Sequence, residues 1–172
     1  LTAHRPVNGV VAVSAPFTLD NPMIPWFKTF PALYNLVPFV KKKPQDNDTQ
    51  DPTVAAHHPE YDSHPTRPAA NLIFDFLPHM HDDLRDVHPP VLMMQGRQDR
   101  TVLADAMQRY AERLASSDKQ MVWIENSGHL ILEDYSKEQA FTHILKFVGA
   151  HAHSQPRYAR RNYAEVDSEF LR

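Results

Sequence analysis

Three short apolar runs set the frame of this chain. Val10–Val13 carries no polar alternation, which predicts a strand buried on both faces of a parallel sheet. A second run, Val91–Gly96, follows the Pro89-Pro90 pair, and a third, Met121–Asn126, follows the polar loop Ser116–Gln120. Helical spacing lies between and after them. Ala104–Ala115 places Ala104, Met107, Tyr110, Ala111 and Leu114 on one face, and Glu138–Val148 does the same with Phe141, Ile144, Leu145 and Val148. Strand alternating with helix predicts parallel βαβ units, hence an α/β fold with crossover helices.

Between the first two strands the pattern breaks. Residues 18–88 are rich in proline, aromatic residues and histidine, and no part reads cleanly as a sheet strand. The stretch PMIPWFKTFPALYNLVPFV has too many large apolar residues for a linker, and its prolines favour short kinked helices. A surface loop is expected over Lys41–Pro59 and a short helix over Thr66–Pro78. The organisation expected is therefore a core strand in 1–17, a helical cap or lid in 18–88, an α/β core in 89–150 and a tail in 151–172.

Composition narrows the function classes. A formal charge of −3 offers no basic field for nucleic acid, and the basic run Lys41–Lys43 reads as a solvated turn. No cysteine is present, so disulfides and thiolate chemistry are excluded. No apolar stretch is long enough for a membrane helix, and a cytoplasmic location is the default expectation.

The chemistry concentrates after the second and third strands. Gly96-Arg97-Gln98-Asp99 follows one and Ser127-Gly128-His129 the other, in the order acid then base. Taken singly, Asp99 reads equally as a helix N-cap and His129 as a satisfied buried histidine. Taken together, they suit an imidazole that shuttles a proton and a carboxylate that fixes its tautomer. Gly128 is expected to let the backbone turn sharply.

From Val87 to Val148 the chain resembles the C-terminal part of bacterial carboxylesterases and monoacylglycerol lipases of the α/β-hydrolase fold. Gly96-Arg97-Gln98-Asp99, the Ala104 helix, Ser127-Gly128-His129, Asp134 and the Glu138 helix occur in that family's order. The opening VVAVSAP resembles the strand after the nucleophile helix, and residues 18–88 occupy the cap's position. The resemblance implies a carboxylic ester hydrolase with a Ser-Asp-His triad, Asp99 and His129 being its acid and base, and no metal or organic cofactor. The family's Gly-x-Ser-x-Gly elbow has no counterpart here. The chain therefore reads as a C-terminal fragment, with a missing N-terminal half as candidate partner. The alternative is a non-catalytic module that binds an apolar ligand or such a partner.

Ser14 has the chain order of a nucleophile but lacks both flanking glycines, and the proline-rich segment after it does not suit the helix an elbow feeds. Ser127 is expected to bond locally to the backbone. His57-His58, His79 with His81, and His151 with His153 lack a metal-binding spacing with a third ligand, and His57 and His151 read as ordinary surface residues. In the cap, Trp26 and Phe30 are candidate contacts for an acyl chain, with Val102 in the pocket wall; plain packing of the cap on the core explains the same apolar residues equally well.

Overall fold

The computed structural model describes residues 6–18, 29–30, 39–41, 49–57 and 63–152. Three parallel strands form the main sheet in the order β1 (Val10–Val13), β4 (Val91–Gly96), β5 (Lys119–Ile124). Because β4 is central, both its edges and both its faces are covered, and every residue from Val91 to Gly96 is buried. Successive side chains point to opposite faces. Val91 and Met93, with Val10, Ala12 and Trp123, join one core cluster; Leu92, Met94 and Ile124, with Val11, Val13 and Val122, join the other. That is the physical content of an apolar run without alternation: the sheet is the middle of three layers.

Helix α4 (Ala106–Arg113) supplies the first layer through Ala106, Met107 and Tyr110. It is shorter than its periodicity predicts. Ala104 lies in the turn before it, and Leu114 takes an extended conformation that ends it. The last turn is closed by Lys119, whose Nζ donates to the carbonyls of Ala111 (2.7 Å) and Leu114 (3.3 Å), a cation placed at the negative helix end. Strand β5 begins earlier than expected, at Lys119, because its register runs from Val91↔Lys119 to Gly96↔Ile124.

Helix α5 (Lys137–His151) covers the other face, and of the expected inward residues only Ile144 packs there. Ala140, Ile144 and Phe147 pack on the sheet, whereas Phe141, Leu145 and Val148 are exposed, Leu145 by 71%. Two apolar stripes lie side by side on this helix, and the one carrying the small Ala140, fully buried, is the one that approaches the sheet. The helix outlasts its periodic pattern because His151 rests on the Phe147 ring (4.6 Å between centroids) and pairs with Asp118 (3.6 Å). His151 is thus a packed side chain rather than the ordinary surface histidine its sequence context implies.

The connection between β1 and β4, in which no strand was expected, contains a short antiparallel pair, β2 (Phe39–Lys41) with β3 (Ser63–Pro65), and helix α1 (Pro52–His57) lies within the expected loop 41–59. Asp51 opens α1 by accepting the Thr53 hydroxyl (2.6 Å) and amide (2.8 Å), bonds that hold its carboxyl below the usual aspartate range. The helical stretch expected from Thr66 runs on to Asp86, as α2 (Thr66–Asn71), a π-helical turn at Leu72–Phe76, α3 (Leu77–Asp83) and a 3-10 turn at Leu84–Asp86. The wide turn falls just before Pro78, whose ring would otherwise collide with the carbonyl four residues back.

The start and return of the insertion are held together. His81 stacks on Phe17 (4.0 Å, 12°) and its Nε2 donates to the Phe17 carbonyl (2.8 Å), while Arg109 and Arg113 lie 4.6 and 4.7 Å from the same ring. Tyr110 completes the junction by donating its hydroxyl to the Pro16 carbonyl (2.8 Å). Burial pushes the Tyr110 phenol up to about 12 from its ordinary 10.0. A raised phenol favours the folded state below the unfolded value and loses that contribution as pH climbs through the folded one. Tyr110→Phe is therefore expected to cost about 0.5–1.5 kcal/mol near neutrality for the lost hydrogen bond. It should also flatten the fall in stability between pH 10.0 and about 12, both readable by urea unfolding across pH.

Candidate active site

The turns after β4 and β5 are joined by main-chain bonds before any side chain is considered. Arg97 N–H donates to the Ile124 carbonyl (2.9 Å) and Gln98 N–H to the Ser127 carbonyl (2.9 Å). Gly96 makes this approach possible: a Cβ there would lie 2.0 Å from the Gly128 oxygen and 2.4 Å from the Ser127 oxygen. The sharp turn after β5 is made by Asn126, at φ 53°, rather than by Gly128, and asparagine tolerates that left-handed conformation better than most residues.

Asp99 emerges from the first turn with no exposed side-chain surface. Its Oδ1 accepts the N–H groups of Thr101 and Val102, each at 2.9 Å, so the side chain is oriented by its own loop. Its Oδ2 faces His129 Nδ1 at 3.1 Å. Facing an ionised carboxylate, which only accepts, Nδ1 is the nitrogen that donates, and in the neutral imidazole this leaves the lone pair on Nε2. His129, with 27% of its side chain exposed, is thus held in the tautomer a general base requires. The N-cap role open to Asp99 is not what it does: α4 starts at Ala106, after Asp105.

Behind this pair, Gln95 is buried at 1% exposure and donates its Nε2 to the carbonyls of Val102 (3.0 Å) and Leu103 (3.3 Å). It braces the loop carrying Asp99. Only its position as the one polar residue in an apolar strand marked it in the sequence. Val102 packs in the first core cluster beside Ala106. Phe30 is 53% exposed, and Trp26 lies outside the described residues.

Ser14 sits at the end of β1, buried, with φ 46°. A strained residue at a strand end is a feature of nucleophile elbows. Its hydroxyl, however, donates to the His129 carbonyl at 2.7 Å rather than to the ring, and residues 15–18 are not helical. Ser127 departs from expectation: it is fully buried and its Oγ has no hydrogen-bond partner among the described residues, while its carbonyl takes the Gln98 amide.

His79, His81 and His151 have partners other than the pair. His79 Nδ1 donates to the Asp75 carbonyl (2.6 Å), His81 is committed to Phe17 and His151 to Asp118. The His57 side chain, His58 and His153 fall outside the described residues. Among the described residues no cluster of three or more His, Cys, Asp or Glu is placed to hold a metal, and no helix is long and apolar enough to cross a membrane.

Residues 1–136 match the family model described as serine aminopeptidase, S33. A carboxylesterase from Bacillus subtilis (strain 168) is 19% identical over 143 residues, covering 83% of this chain and 55% of the relative. The monoacylglycerol lipase of Paleococcus ferrophilus superposes with a TM-score of 0.68 at 20% identity, over 84% of this chain and 60% of that one. A soluble variant of monoglyceride lipase from Saccharomyces cerevisiae superposes with a TM-score of 0.62 at 14% identity, over 82% and 55%. A metagenome-derived lipolytic enzyme gives 0.68 at 21%, over 84% and 56%. The chain spans about half the length of the curated relative it matches. With its three parallel strands, flanking helices and matched model, the chain belongs to the serine aminopeptidase S33 family of α/β-hydrolases and carries part of that fold.

Proposed function

We propose that Asp99 and His129 are the acid and base of a Ser-Asp-His triad that hydrolyses carboxylic esters of the carboxylesterase or monoacylglycerol lipase type, with the serine supplied from outside these 172 residues. The observation that carries this reading is the 3.1 Å contact between His129 Nδ1 and a buried Asp99 whose other oxygen is occupied by backbone amides. In the reaction, His129 Nε2 removes the proton from the serine hydroxyl as its oxygen attacks the ester carbonyl. The imidazolium, stabilised by Asp99, then protonates the departing alcohol. Water repeats the sequence on the acyl-enzyme and releases the acid. The ester class draws support from the names of the carboxylesterase and lipase relatives. Of the expected acyl-chain contacts, the exposed Phe30 is the one retained as a candidate, since Val102 is packed in the core and Trp26 lies outside the described residues.

The test compares two polypeptides: this chain alone, and the chain extended by upstream coding sequence that contains Gly-x-Ser-x-Gly. The extended form is expected to hydrolyse p-nitrophenyl esters and monoacylglycerols in preference to aminoacyl anilides. The chain alone is expected to show no turnover above background, because an acid–base pair without nucleophile and oxyanion donors cannot form the acyl intermediate. Turnover by the 172-residue chain that Ser14→Ala abolishes would make Ser14 the nucleophile. The absence of any upstream elbow would instead favour a non-catalytic binding module.

A further inference from the structure

Asp134 is 1% exposed, and each hydrogen bond found for its carboxylate comes from a main-chain amide. Oδ2 accepts Gly128 N–H at 2.8 Å, one peptide before His129. Gln50 N–H is shared between Oδ1 (3.0 Å) and Oδ2 (2.9 Å), and Tyr135 N–H donates to Oδ1 at 2.9 Å. A buried carboxylate must be satisfied in this way, and bonds to an ionised acceptor are the strong ones. The partners matter more than their number. Gly128 belongs to the loop that carries the base, whereas Gln50 belongs to the insertion, 84 residues away in sequence.

We infer that Asp134 is a positioning residue: it sets where His129 stands, and it makes that position depend on the seating of residues 49–57. The inference rests on the acid–base reading of Asp99 and His129. Three anchors surround the histidine, namely Asp134 on the preceding peptide, the Ser14 hydroxyl on the His129 carbonyl (2.7 Å) and Asp99 on the ring. At 3.1 Å the ring contact already lies in the long part of the hydrogen-bond range, so a displacement of about 0.5–1 Å in the loop breaks it. The insertion side is equally defined. Asp51 and Thr53 lock the start of α1, and the Ala55 amide closes on the Asp51 carbonyl (3.2 Å), which leaves the Gln50 N–H aimed at Asp134. One carboxylate thus ties the insertion to the base without touching the ring.

The experiment uses the 172-residue chain and needs no catalysis. Asp134→Asn keeps the size but turns an NH2 group toward amide donors. In the folded variant, amide exchange at Gln50 and Gly128 is expected to accelerate about tenfold or more. The His129 Nδ1 proton resonance should shift or broaden, while the Val91–Gly96 amides keep their protection. Asp99→Asn is the contrast, altering the same ring resonance with no change at Gln50. An unchanged ring resonance in folded Asp134→Asn would overturn the inference. Should that variant not fold, native-state exchange of the unaltered chain decides: Gln50 and Gly128 must open with one common free energy, and separate openings refute the coupling. Failure of the acid–base reading appears elsewhere, as hydrolysis that survives loss of the His129 ring, and leaves these exchange results standing.

Discussion

His129→Ala, introduced into the chain extended by the proposed upstream elbow, is expected to lower turnover by on the order of 10⁴-fold or more with substrate binding largely retained, because on the proposed mechanism it removes the group that takes and returns the proton. Asp99→Asn should approach the same loss by a different route. Its amide oxygen can still accept the Thr101 and Val102 N–H groups, so the loop keeps its shape. Its NH2, however, would face Nδ1 and favour the tautomer with the proton on Nε2, where a base needs a lone pair. The two variants should therefore share a fall in kcat with little change in KM. Ester hydrolysis under saturating substrate, with near-UV circular dichroism to verify folding, checks both. Near-normal turnover in folded His129→Ala would refute the assignment.

Gly96→Ala is expected to be more disruptive than the same change at Gly9 or Gly149. The added Cβ would sit 2.0 Å from the Gly128 oxygen, 2.4 Å from the Ser127 oxygen and 2.9 Å from the Gly128 carbonyl carbon, all backbone atoms that cannot swing away. Core overpacking ordinarily costs about 1–3 kcal/mol, relieved through side-chain adjustment. Here relief requires the turns after β4 and β5 to separate, which breaks the Gln98-to-Ser127 bond and draws Asp99 away from His129. A loss above that range is expected, seen as a lower urea midpoint or the absence of a cooperative transition. Gly149→Ala provides the control. Nothing lies within 4 Å of its added Cβ, and alanine in a helix stabilises by roughly 0.5–1 kcal/mol over glycine. Equal effects at the two glycines would show that close backbone approach is not what the β4 turn requires.

Much of the architecture was legible in the chain because local composition carries it. A run such as Val91–Gly96 is apolar at consecutive positions only if both faces of the strand are buried, and the structure buries all of it. Asp99 and His129 were legible because each follows such a strand, and parallel strand ends converge on one rim. Periodicity failed where two solutions were equally periodic. Helix α5 was expected to turn Phe141, Ile144, Leu145 and Val148 inward; Ile144 does so together with Ala140 and Phe147, and spacing alone does not say which of the neighbouring apolar stripes meets the sheet.

What the sequence determined by itself was the class of fold, the order of the three parallel strands and the two helices that flank them, and the choice of Asp99 and His129 as candidate acid and base, all set by short-range pattern and strand-end position. What only the tertiary structure decided was how that pair is held. The bonds from Gln95 to the Asp99 loop, from Ser14 to the His129 carbonyl and from Asp134 to Gly128 and Gln50 join residues by main-chain polar groups. Those groups are the same in every residue, so no side-chain pattern announces them; the bonds of Ser14 with His129 and of Asp134 with Gln50 span 115 and 84 positions and exist only once the sheet has brought the loops together.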